Sequence, residues 1–270
     1  MKISVITISF NQARFLERTI LSVLNQDYPD VEYIIVDPGS TDGSRDIIEK
    51  YRNRFAEVVL EPDEGAADGL NKGFARATGE IFYCLNSDDT VEPRVFKTAA
   101  AYFEREPDLD VLCGHCWVVD ENDKRLRRAW SDPFDRRSVA YGTSIQIQPS
   151  TFIRASAFRE VGGFNVANRS NWDGEMFMEL CLSGARVRIV NEFMSNYRVH
   201  GESITGTGGD AVKLALWRRR CFERLVGRPL APRDKHIRLL WLLRRQLRNP
   251  EAFIERLLHG PVSGRAKRAS

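Results

Sequence analysis

The chain has 270 residues, of which 43% are hydrophobic, and its 40 basic and 37 acidic residues leave a formal net charge of +3. This apolar content supports a folded core and excludes a disordered or collagen-like chain. No apolar run approaches the roughly 18 residues that a membrane-spanning helix needs, and the N-terminus lacks a signal-peptide pattern. We therefore expect a cytoplasmic protein, and five cysteines fit a reduced compartment.

The charge is unevenly distributed along the chain. Residues 1–210 hold 24 basic and 33 acidic side chains, whereas residues 211–270 hold 16 basic and 4 acidic ones. The near-neutral total therefore combines an acidic body with a basic tail. Such a tail favours a phosphate-rich partner, either nucleic acid or an anionic membrane.

The first 90 residues alternate apolar, β-branched runs with helical stripes. The runs predict strands at Lys2–Ile8, Val31–Val36, Val58–Leu60 and Glu80–Leu85. Helical spacing predicts three intervening helices, over Leu16–Leu24 with Asn11 as its cap, over Asp46–Tyr51 and over Ala67–Ala77. This alternation is typical of βαβ units and a mostly parallel sheet.

Beyond residue 90 the pattern is less regular. It predicts a helix from Pro93 towards Glu106, a strand at Asp110–Val119, a short helix at Met176–Cys181, and two strands at Ala185–Val190 and Phe193–Val199. Glycines 206, 208 and 209 indicate a mobile loop at a boundary. We therefore expect a body of residues 1–205 and a basic helical extension of residues 211–270.

Polar side chains follow the second and fourth predicted strands directly. The second strand ends in Asp37, and the fourth ends in Asn86-Ser87-Asp88-Asp89. Ligands of open α/β sheets bind at this edge, where a divalent cation completed by substrate phosphates can compensate adjacent carboxylates. The alternative is a solvated turn in which Asp89 caps the helix after Pro93.

Five motifs occur together in an order and spacing that indicate a family. They are Thr7-Ile8-Ser9-Phe10-Asn11, Val36-Asp37-Pro38-Gly39-Ser40-Thr41-Asp42-Gly43-Ser44, Glu61-Pro62-Asp63-Glu64-Gly65, Asp68-Gly69-Leu70-Asn71-Lys72-Gly73 and Leu85-Asn86-Ser87-Asp88-Asp89. Over about residues 1–203 the sequence resembles the family 2 glycosyltransferases, which use nucleotide-sugar donors. The resemblance implies the GT-A fold, an α/β, Rossmann-like nucleotide-binding domain with a mixed, mostly parallel central sheet.

The resemblance implies a donor site at the first two strands. It assigns the nucleotide base and ribose to Thr7, Ser9 and Asp37. A carboxylate can accept a hydrogen bond from uracil N3–H, so Asp37 suits a UDP-sugar. Pro38 replaces the second acid that the family commonly carries, and a helix-turn capping role for Asp37 is the alternative.

Three residues of the third predicted helix complete the implied donor side. The resemblance places Asp68 near the ribose or sugar, includes Asn71 in the nucleotide-sugar site and lets Lys72 support the nucleotide or its phosphates. Asp68 and Lys72 are four residues apart, so a surface ion pair between them is the alternative.

Asn86-Ser87-Asp88 occupies the position of the family's Asp-x-Asp signature, with an amide in place of the first acid. Asn86 and Ser87 are expected to contact the nucleotide sugar. We assign a Mn²⁺ or Mg²⁺ cofactor to Asp88, with Asp89 as support or second ligand.

A late segment, Tyr197-Arg198-Val199-His200-Gly201-Glu202-Ser203, resembles an Arg-x-His-x-x-Ser segment of many relatives. This implies that His200 meets the metal or the diphosphate and that Arg198 neutralises the leaving group. An exposed His200 without a metal role is the alternative.

The segment Asn171-Trp172-Asp173-Gly174-Glu175-Met176 matches the family region that carries the catalytic base. The helix dipole lowers the pKa of an acid at a helix N-terminus, whereas partial burial and the donor phosphates raise it towards that of a useful base. We expect Asp173 to be the base in preference to Glu175. The alternatives are an N-cap role for Asp173 and a first-turn role for Glu175.

Gln148 is placed at the acceptor site, with a core or strand-edge role equally open.

Cys113-Gly114-His115-Cys116 matches the active-site tetrapeptide of disulfide isomerases. Its apolar flanks place it inside a strand rather than at the start of a helix, so we expect buried core residues without redox function.

The tail contains three predicted amphipathic helices whose polar positions are mainly arginine. Basic helices with Trp on the apolar side favour an anionic membrane surface. Packing on the acidic body or on a second subunit of a homo-oligomer is the alternative. Nucleic acid is not expected, because no aromatic platform accompanies the charge.

Together these features predict a metal-dependent, inverting glycosyltransferase at the inner face of the cytoplasmic membrane. It would move a sugar from a nucleotide donor to a hydroxyl of a glycan or lipid-linked acceptor. A sugar nucleotidyltransferase is one alternative, but Ser9-Phe10-Asn11-Gln12 lacks the Gly-rich, basic loop of that class. A non-catalytic scaffold is the other, because Asn86 removes an acid from the signature.

Overall fold

The computed structural model describes residues 1–169, 171–201 and 211–260. The strands are β1 (Ile3–Ile8), β2 (Val31–Val36), β3 (Glu57–Val59), β4 (Ile81–Asn86), β5 (Thr90–Val91), β6 (Val111–Val119), β7 (Arg125–Ala129), β8 (Thr151–Arg154) and β9 (Val187–Arg198). The helices are α1 (Ala13–Leu24), α2 (Ser44–Lys50), α3 (Ala66–Arg76), α4 (Val95–Arg105), α5 (Arg136–Ala140), α6 (Ala155–Glu160), α7 (Trp172–Ser183), α8 (Ala211–Val226), α9 (Asp234–Arg248) and α10 (Pro250–His259). The predicted glycine loop at 206–209 lies outside the described residues.

The strands form one mixed sheet in the order β3-β2-β1-β4-β8-β6-β9-β5, and β7 pairs with β6. Pairing is parallel between β1 and β2, β1 and β4, β2 and β3, and β6 and β9. Because β8 is antiparallel to both β4 and β6, these last two strands run the same way. Only β5, β7 and β8 of the described strands run in the opposite direction, which confirms the mostly parallel sheet.

The pleat of β1 divides the core between the two faces of the sheet. Ile3 and Val5 pack with residues of α1 and α4, whereas Ile6 packs on the opposite face with residues of α3 and α7. Successive strand residues point to opposite faces, so a strand covered by helices on both sides must be apolar almost throughout. The nearly continuous apolar character of β1, interrupted only by the buried Ser4 and Thr7, therefore reflects its central place in the sheet.

The start of α1 differs from its prediction. Asn11 does not cap the helix; its φ is +53°, and its Oδ1 accepts a hydrogen bond from Thr41 N at 2.9 Å. The amide of Ala13 donates instead to Asp42 Oδ2 at 2.8 Å. The prediction was wrong because the capping group comes from the loop after β2, which local sequence does not reveal.

The two predicted final strands form one strand, β9. It runs parallel to β6, and the register shifts on either side of His115. The predicted break was wrong because the polar residues between the two apolar runs lie in this irregular stretch of a continuous strand.

The Cys-Gly-His-Cys segment lies within β6, as predicted, and both of its thiols are buried. Burial raises the pKa of the Cys113 thiol to about 12, although hydrogen bonding by Thr151 opposes the shift. Reactive cysteines have lowered pKa values. This thiol is therefore a poor redox nucleophile.

The first tail helix packs on the body. Cys221, Phe222 and Leu225 of α8 are buried in a cluster with residues of α5 and α7. On α9 and α10, by contrast, large apolar side chains remain exposed at Leu239, Leu240, Leu243, Leu247, Phe253, Ile254, Leu257 and Leu258. No helix within the described ranges has the length and apolar character needed to cross a bilayer.

Candidate active site

A cleft of about 1500 Å³ opens at the carboxyl ends of β1 and β4. Pockets for one small molecule measure about 300–1,000 Å³, so this cleft is larger than a pocket for a single small ligand. We call residues 8–10, 12, 38 and 62–66 of its lining the N-terminal side, and residues 127–130, 145–149, 169, 171–173, 245, 256 and 260 the C-terminal side. Residues 86–89, which follow the body of β4, line the cleft as well.

Asp37 is fully buried at the end of β2, beneath the N-terminal side. Its Oδ1 accepts hydrogen bonds from Gly39 N at 3.0 Å, Ser40 N at 2.8 Å and Arg45 Nε at 3.1 Å. Its Oδ2 is buried and has no hydrogen-bond partner among the described residues. Oδ1 of Asp37 therefore stabilises the turn, as the alternative of a helix-turn capping role predicted. Oδ2 remains an acceptor without a hydrogen bond among the described residues.

Thr7 and Ser9 differ in their access to the cleft. Thr7 is fully buried, its hydroxyl lies 3.0 Å from that of Tyr33, and it is not part of the cleft lining. Ser9 lines the cleft, and its Oγ is buried without a hydrogen-bond partner in the described part of the chain. Of this pair, only Ser9 is placed to meet a ligand.

The residues expected on α3 make contacts within the protein. Lys72 Nζ lies 2.9 Å from Asp68 Oδ2 and donates to Pro62 O at 2.5 Å. The side chain of Asn71 donates to Phe164 O at 2.7 Å and accepts from Phe164 N at 2.9 Å. The contact between Lys72 and Asp68 matches the ion-pair alternative, and the contacts of Asn71 give it a structural role. None of these three residues lines the cleft.

The segment after β4 is held from two sides. The hydroxyl of Thr19 donates to the backbone oxygens of Ser87 at 2.8 Å and Asp89 at 2.7 Å. The side chain of Asn86 donates to Gln148 Oε1 at 3.2 Å, and Gln148 in turn donates to Cys84 O at 2.7 Å. We call residues 86–89 the signature segment. The side chain of Asn86 thereby links this segment to the C-terminal side of the cleft.

Asp88, Asp89 and His200 meet at this segment. Asp88 Oδ2 lies 3.1 Å from His200 Nε2, and the imidazole is only 2% exposed. Asp89 accepts from Arg198 N through Oδ1, while its buried Oδ2 has no partner within the described ranges. Burial, followed by the charge of Asp88, raises the pKa of Asp89 well above its usual value. The exposed-histidine and helix-capping alternatives are therefore both wrong.

Arg198 is a structural residue in this arrangement. Its side chain is completely buried; Nε donates to Asp88 O and Nη1 to Asp120 O, both at 2.7 Å, and Nη2 pairs with Asp123. The guanidinium also lies over the ring of Phe15, 5.1 Å from its centroid. The expectation that Arg198 faces a leaving group needs correction, because these contacts turn it away from the cleft lining.

Asp173 lines the C-terminal side of the cleft near the start of α7. It is not the N-cap of that helix, which is Asn171, and burial raises the pKa of its carboxyl although the Gly174 amide opposes the shift. Glu175 lies deeper, at 6% exposure, and accepts hydrogen bonds from Asn165 Nδ2 at 3.0 Å and Asn168 Nδ2 at 2.5 Å. Only the first of the two acids borders the cleft.

The family model described as Glycosyl transferase family 2 matches residues 4–162. The chain belongs to glycosyltransferase family 2. TuaG of Bacillus subtilis, a glycosyltransferase named for teichuronic acid biosynthesis, is 30% identical over 233 residues, which cover 83% of this glycosyltransferase and 89% of TuaG. A glycosyltransferase of Nostoc sp. is 29% identical over 212 residues, 74% of this chain and 66% of its own length.

Solved structures share the fold. The structure of S. aureus TarS in complex with UDP-GlcNAc matches with a TM-score of 0.70 at 20% identity, covering 97% of this glycosyltransferase and 77% of the other chain. The mannosyltransferase PcManGT from Pyrobaculum calidifontis, in complex with GDP-Man and Mn²⁺, matches with a TM-score of 0.64 at 18% identity, covering 95% and 73%. These matches confirm the predicted GT-A fold.

The signature segment of the glycosyltransferase fits a divalent cation. Asp88 Oδ2 is hydrogen-bonded to His200 Nε2 at 3.1 Å beside the cleft, and carboxylate oxygens are the protein ligands that Mg²⁺ commonly takes. The unsatisfied Asp89 Oδ2 adds a nearby buried acceptor. No group of three or more metal-binding side chains occurs in the described ranges. Ions of this kind commonly take one or two protein ligands and complete their shell with substrate phosphates and water.

Sequence reasoning missed several residues of the cleft. Asp63 lines its N-terminal side, and burial raises the pKa of its carboxyl. A Cβ at position 69 would come within 2.7 Å of Asp63 Oδ2, so Gly69 of the fourth motif leaves room for this acid. Five arginines also line the cleft, at Arg127, Arg128, Arg169, Arg245 and Arg256. Only tertiary packing brings the last two there.

Proposed function

We propose that this glycosyltransferase transfers a sugar from a UDP-sugar to a hydroxyl of a glycan or lipid-linked acceptor, with inversion at the anomeric carbon. The observation that carries the proposal is that one cleft joins Ser9, the signature segment with Asp88 and the carboxyl of Asp173. TarS, which shares the fold, binds UDP-GlcNAc, and TuaG is named for teichuronic acid biosynthesis.

In the proposed reaction Asp173 takes the proton of the acceptor hydroxyl. The acceptor oxygen then attacks the anomeric carbon, and the bond between that carbon and the diphosphate oxygen breaks on the opposite side. Direct displacement inverts the carbon. The raised pKa of Asp173 increases its basicity once it is ionised.

The diphosphate departs with the electron pair of the broken bond. Asp88 and His200, with Asp89 behind them, would hold a Mn²⁺ or Mg²⁺ ion, whose positive charge stabilises a leaving diphosphate. PcManGT, a relative in fold, carries Mn²⁺ with its GDP-Man.

A panel of nucleotide sugars tests this function. With Mn²⁺ present, we expect one UDP-sugar to bind and to be slowly hydrolysed, and Asp88→Ala to abolish metal-dependent turnover. A scaffold protein would be indifferent to that substitution. If no member of the panel binds, the proposal is wrong.

We also propose that the enzyme works at an anionic membrane surface through α9 and α10. The exposed leucines of α9 lie on the same helix as the exposed basic side chains of Lys235, Arg238 and Arg248. Apolar insertion and attraction to acidic lipids strengthen each other, each basic residue near the surface contributing about 1 kcal/mol.

A further inference from the structure

Two arginines of the tail converge on one carboxylate at the C-terminal side of the cleft. Arg245 Nη2 lies 2.6 Å from Asp132 Oδ2, and Arg256 Nη2 lies 3.4 Å from both carboxylate oxygens. Ile145 N also donates to Asp132 Oδ2, at 3.1 Å. The Asp132 side chain is 5% exposed, and the arginine side chains are 13% and 21% exposed. Two guanidinium groups therefore share one carboxylate away from bulk water.

Both arginines keep unused donors. Arg245 Nε and Arg256 Nη1 are buried and have no hydrogen-bond partner among the described residues. Buried charged donors are normally paired, because an unpaired one has lost its hydration without compensation. Burial lowers the pKa of Arg256, and the neighbouring charge of Arg245 lowers it further although Asp132 opposes the shift. The cluster thus has more positive charge than Asp132 balances.

Arg245 and Arg256 line the same cleft as the proposed base, Asp173. Their position within the cleft follows from Asp132, which they bind. Asp132 follows β7, which pairs with β6, and β2 stands near the opposite end of the sheet. A ligand on the arginines would therefore lie on the acceptor's side of the reaction.

We propose that Arg245 and Arg256 form a subsite for an oxyanion, a phosphate or a carboxylate, carried by the acceptor. The glycosyltransferase then acts on an acidic glycan or a phosphate-bearing acceptor. The inference rests on the proposed function, because it assigns this side of the cleft to the acceptor. Planar guanidinium groups bind both kinds of oxyanion through paired, charge-assisted hydrogen bonds.

Calorimetric titration of the full chain with inorganic phosphate tests the subsite, with UDP and Mn²⁺ saturating so that phosphate cannot enter the donor site. A parallel titration uses glucuronate and distinguishes a phosphate site from a carboxylate site. We expect at least one anion to bind, and Arg245→Gln and Arg256→Gln each to weaken it about tenfold. Arg244→Gln is the matched control, because this neighbour on α9 is exposed and stacks on Trp241. It should leave anion affinity unchanged.

Two results would overturn the subsite. One is equal anion affinity in wild type and both variants, which would leave the arginines as anchors of the tail. The other is a parallel loss of UDP affinity, which would assign them to the donor diphosphate. If the variants do not fold, chemical modification of the wild type by phenylglyoxal replaces them. Phosphate should then slow the modification of Arg245 and Arg256 but not that of Arg244. Equal modification of Arg245 and Arg256 with and without phosphate would reject the subsite. If the protein binds no nucleotide sugar, only the proposed function is rejected. The anion subsite can still be tested in that case, because titration with phosphate or glucuronate without UDP measures anion binding by itself.

Discussion

Asp173 shows how the position of one residue on a helix determines its chemistry. It and Glu175 lie two residues apart at the start of α7, yet one borders the cleft and the other is buried against asparagine amides. Residues two apart on a helix point in different directions. The two acids are therefore not interchangeable.

We expect Asp173→Asn to lower kcat by about 10²–10⁴-fold, because an amide cannot accept the acceptor proton. The affinity for UDP should stay within about twofold, since the substitution is isosteric and removes no donor-side contact. Steady-state kinetics and calorimetry measure the two effects. Glu175→Gln is the control on the same helix, and an equal loss of kcat in that variant would contradict the assignment.

The pH profile of the wild type should reflect the raised pKa of Asp173. A base must be ionised, so kcat/KM should fall as pH falls through that pKa, with a midpoint above the usual value of about 3.9 for Asp. The profile of kcat/KM against pH gives this midpoint. A midpoint at or below the usual value would exclude the buried carboxyl as the base.

Among the elements, the central strands were predicted within one or two residues because apolar periodicity is a local signal. The cap of α1 and the role of Arg198 were not predictable in this way. Asp42 reaches α1 from the next loop, and Arg198 bonds to Asp88 and Asp120 across the sheet. Both depend on side-chain contacts between distant parts of the chain, which one sequence does not encode as a pattern.

Glu32 joins the strands that support the donor side of the cleft. This carboxylate of β2 accepts from Ser4 Oγ at 2.5 Å, Thr78 N at 2.7 Å and Lys2 Nζ at 3.0 Å. Burial alone would raise its pKa, but these hydrogen bonds outweigh burial and lower the pKa to about 2. It thereby ties β2 to β1 and to the turn before β4.

The depressed pKa of Glu32 predicts a loss of stability in acid. Its contribution is present above the unfolded value of about 4.5 and is lost as pH falls towards 2, a difference of roughly 3 kcal/mol. Urea unfolding at a series of pH values measures it. Glu32→Gln should remove this step, while Glu49→Gln, at an exposed ion pair with Arg52, should preserve it. Identical acid profiles of wild type and Glu32→Gln would contradict the prediction.

At the scale of the whole molecule, the helices of the tail differ in their packing. Helix α8 packs on the body, whereas α9 and α10 leave large apolar side chains exposed. The sequence indicated the basic amphipathic helices of the tail and gave packing on the body as an alternative, which α8 confirms. It did not indicate that Arg245 and Arg256 would enter the cleft. Periodicity identifies an apolar stripe, whereas its partner depends on how complete elements dock.

Vesicle sedimentation tests the membrane proposal at this scale. We expect the full chain to sediment with phosphatidylserine-containing vesicles and not with phosphatidylcholine alone, and added salt to weaken binding. Leu240→Asp with Leu243→Asp should abolish sedimentation, because both leucines are exposed on α9. Leu60→Asp, at an exposed leucine of the body, is the control. Unchanged sedimentation of the α9 variant would rule out this surface.

The two sides of the cleft come from separate stretches of the chain. The family model covers residues 4–162, which contain Ser9 and the signature segment, whereas Asp173, Arg245 and Arg256 lie beyond it. Mutations at these three later residues can therefore alter the proposed base and anion subsite while Ser9 and the signature segment keep their contacts. Under the proposed assignment, changes confined to the last hundred residues would alter the choice of acceptor while the recognition of the nucleotide sugar is conserved.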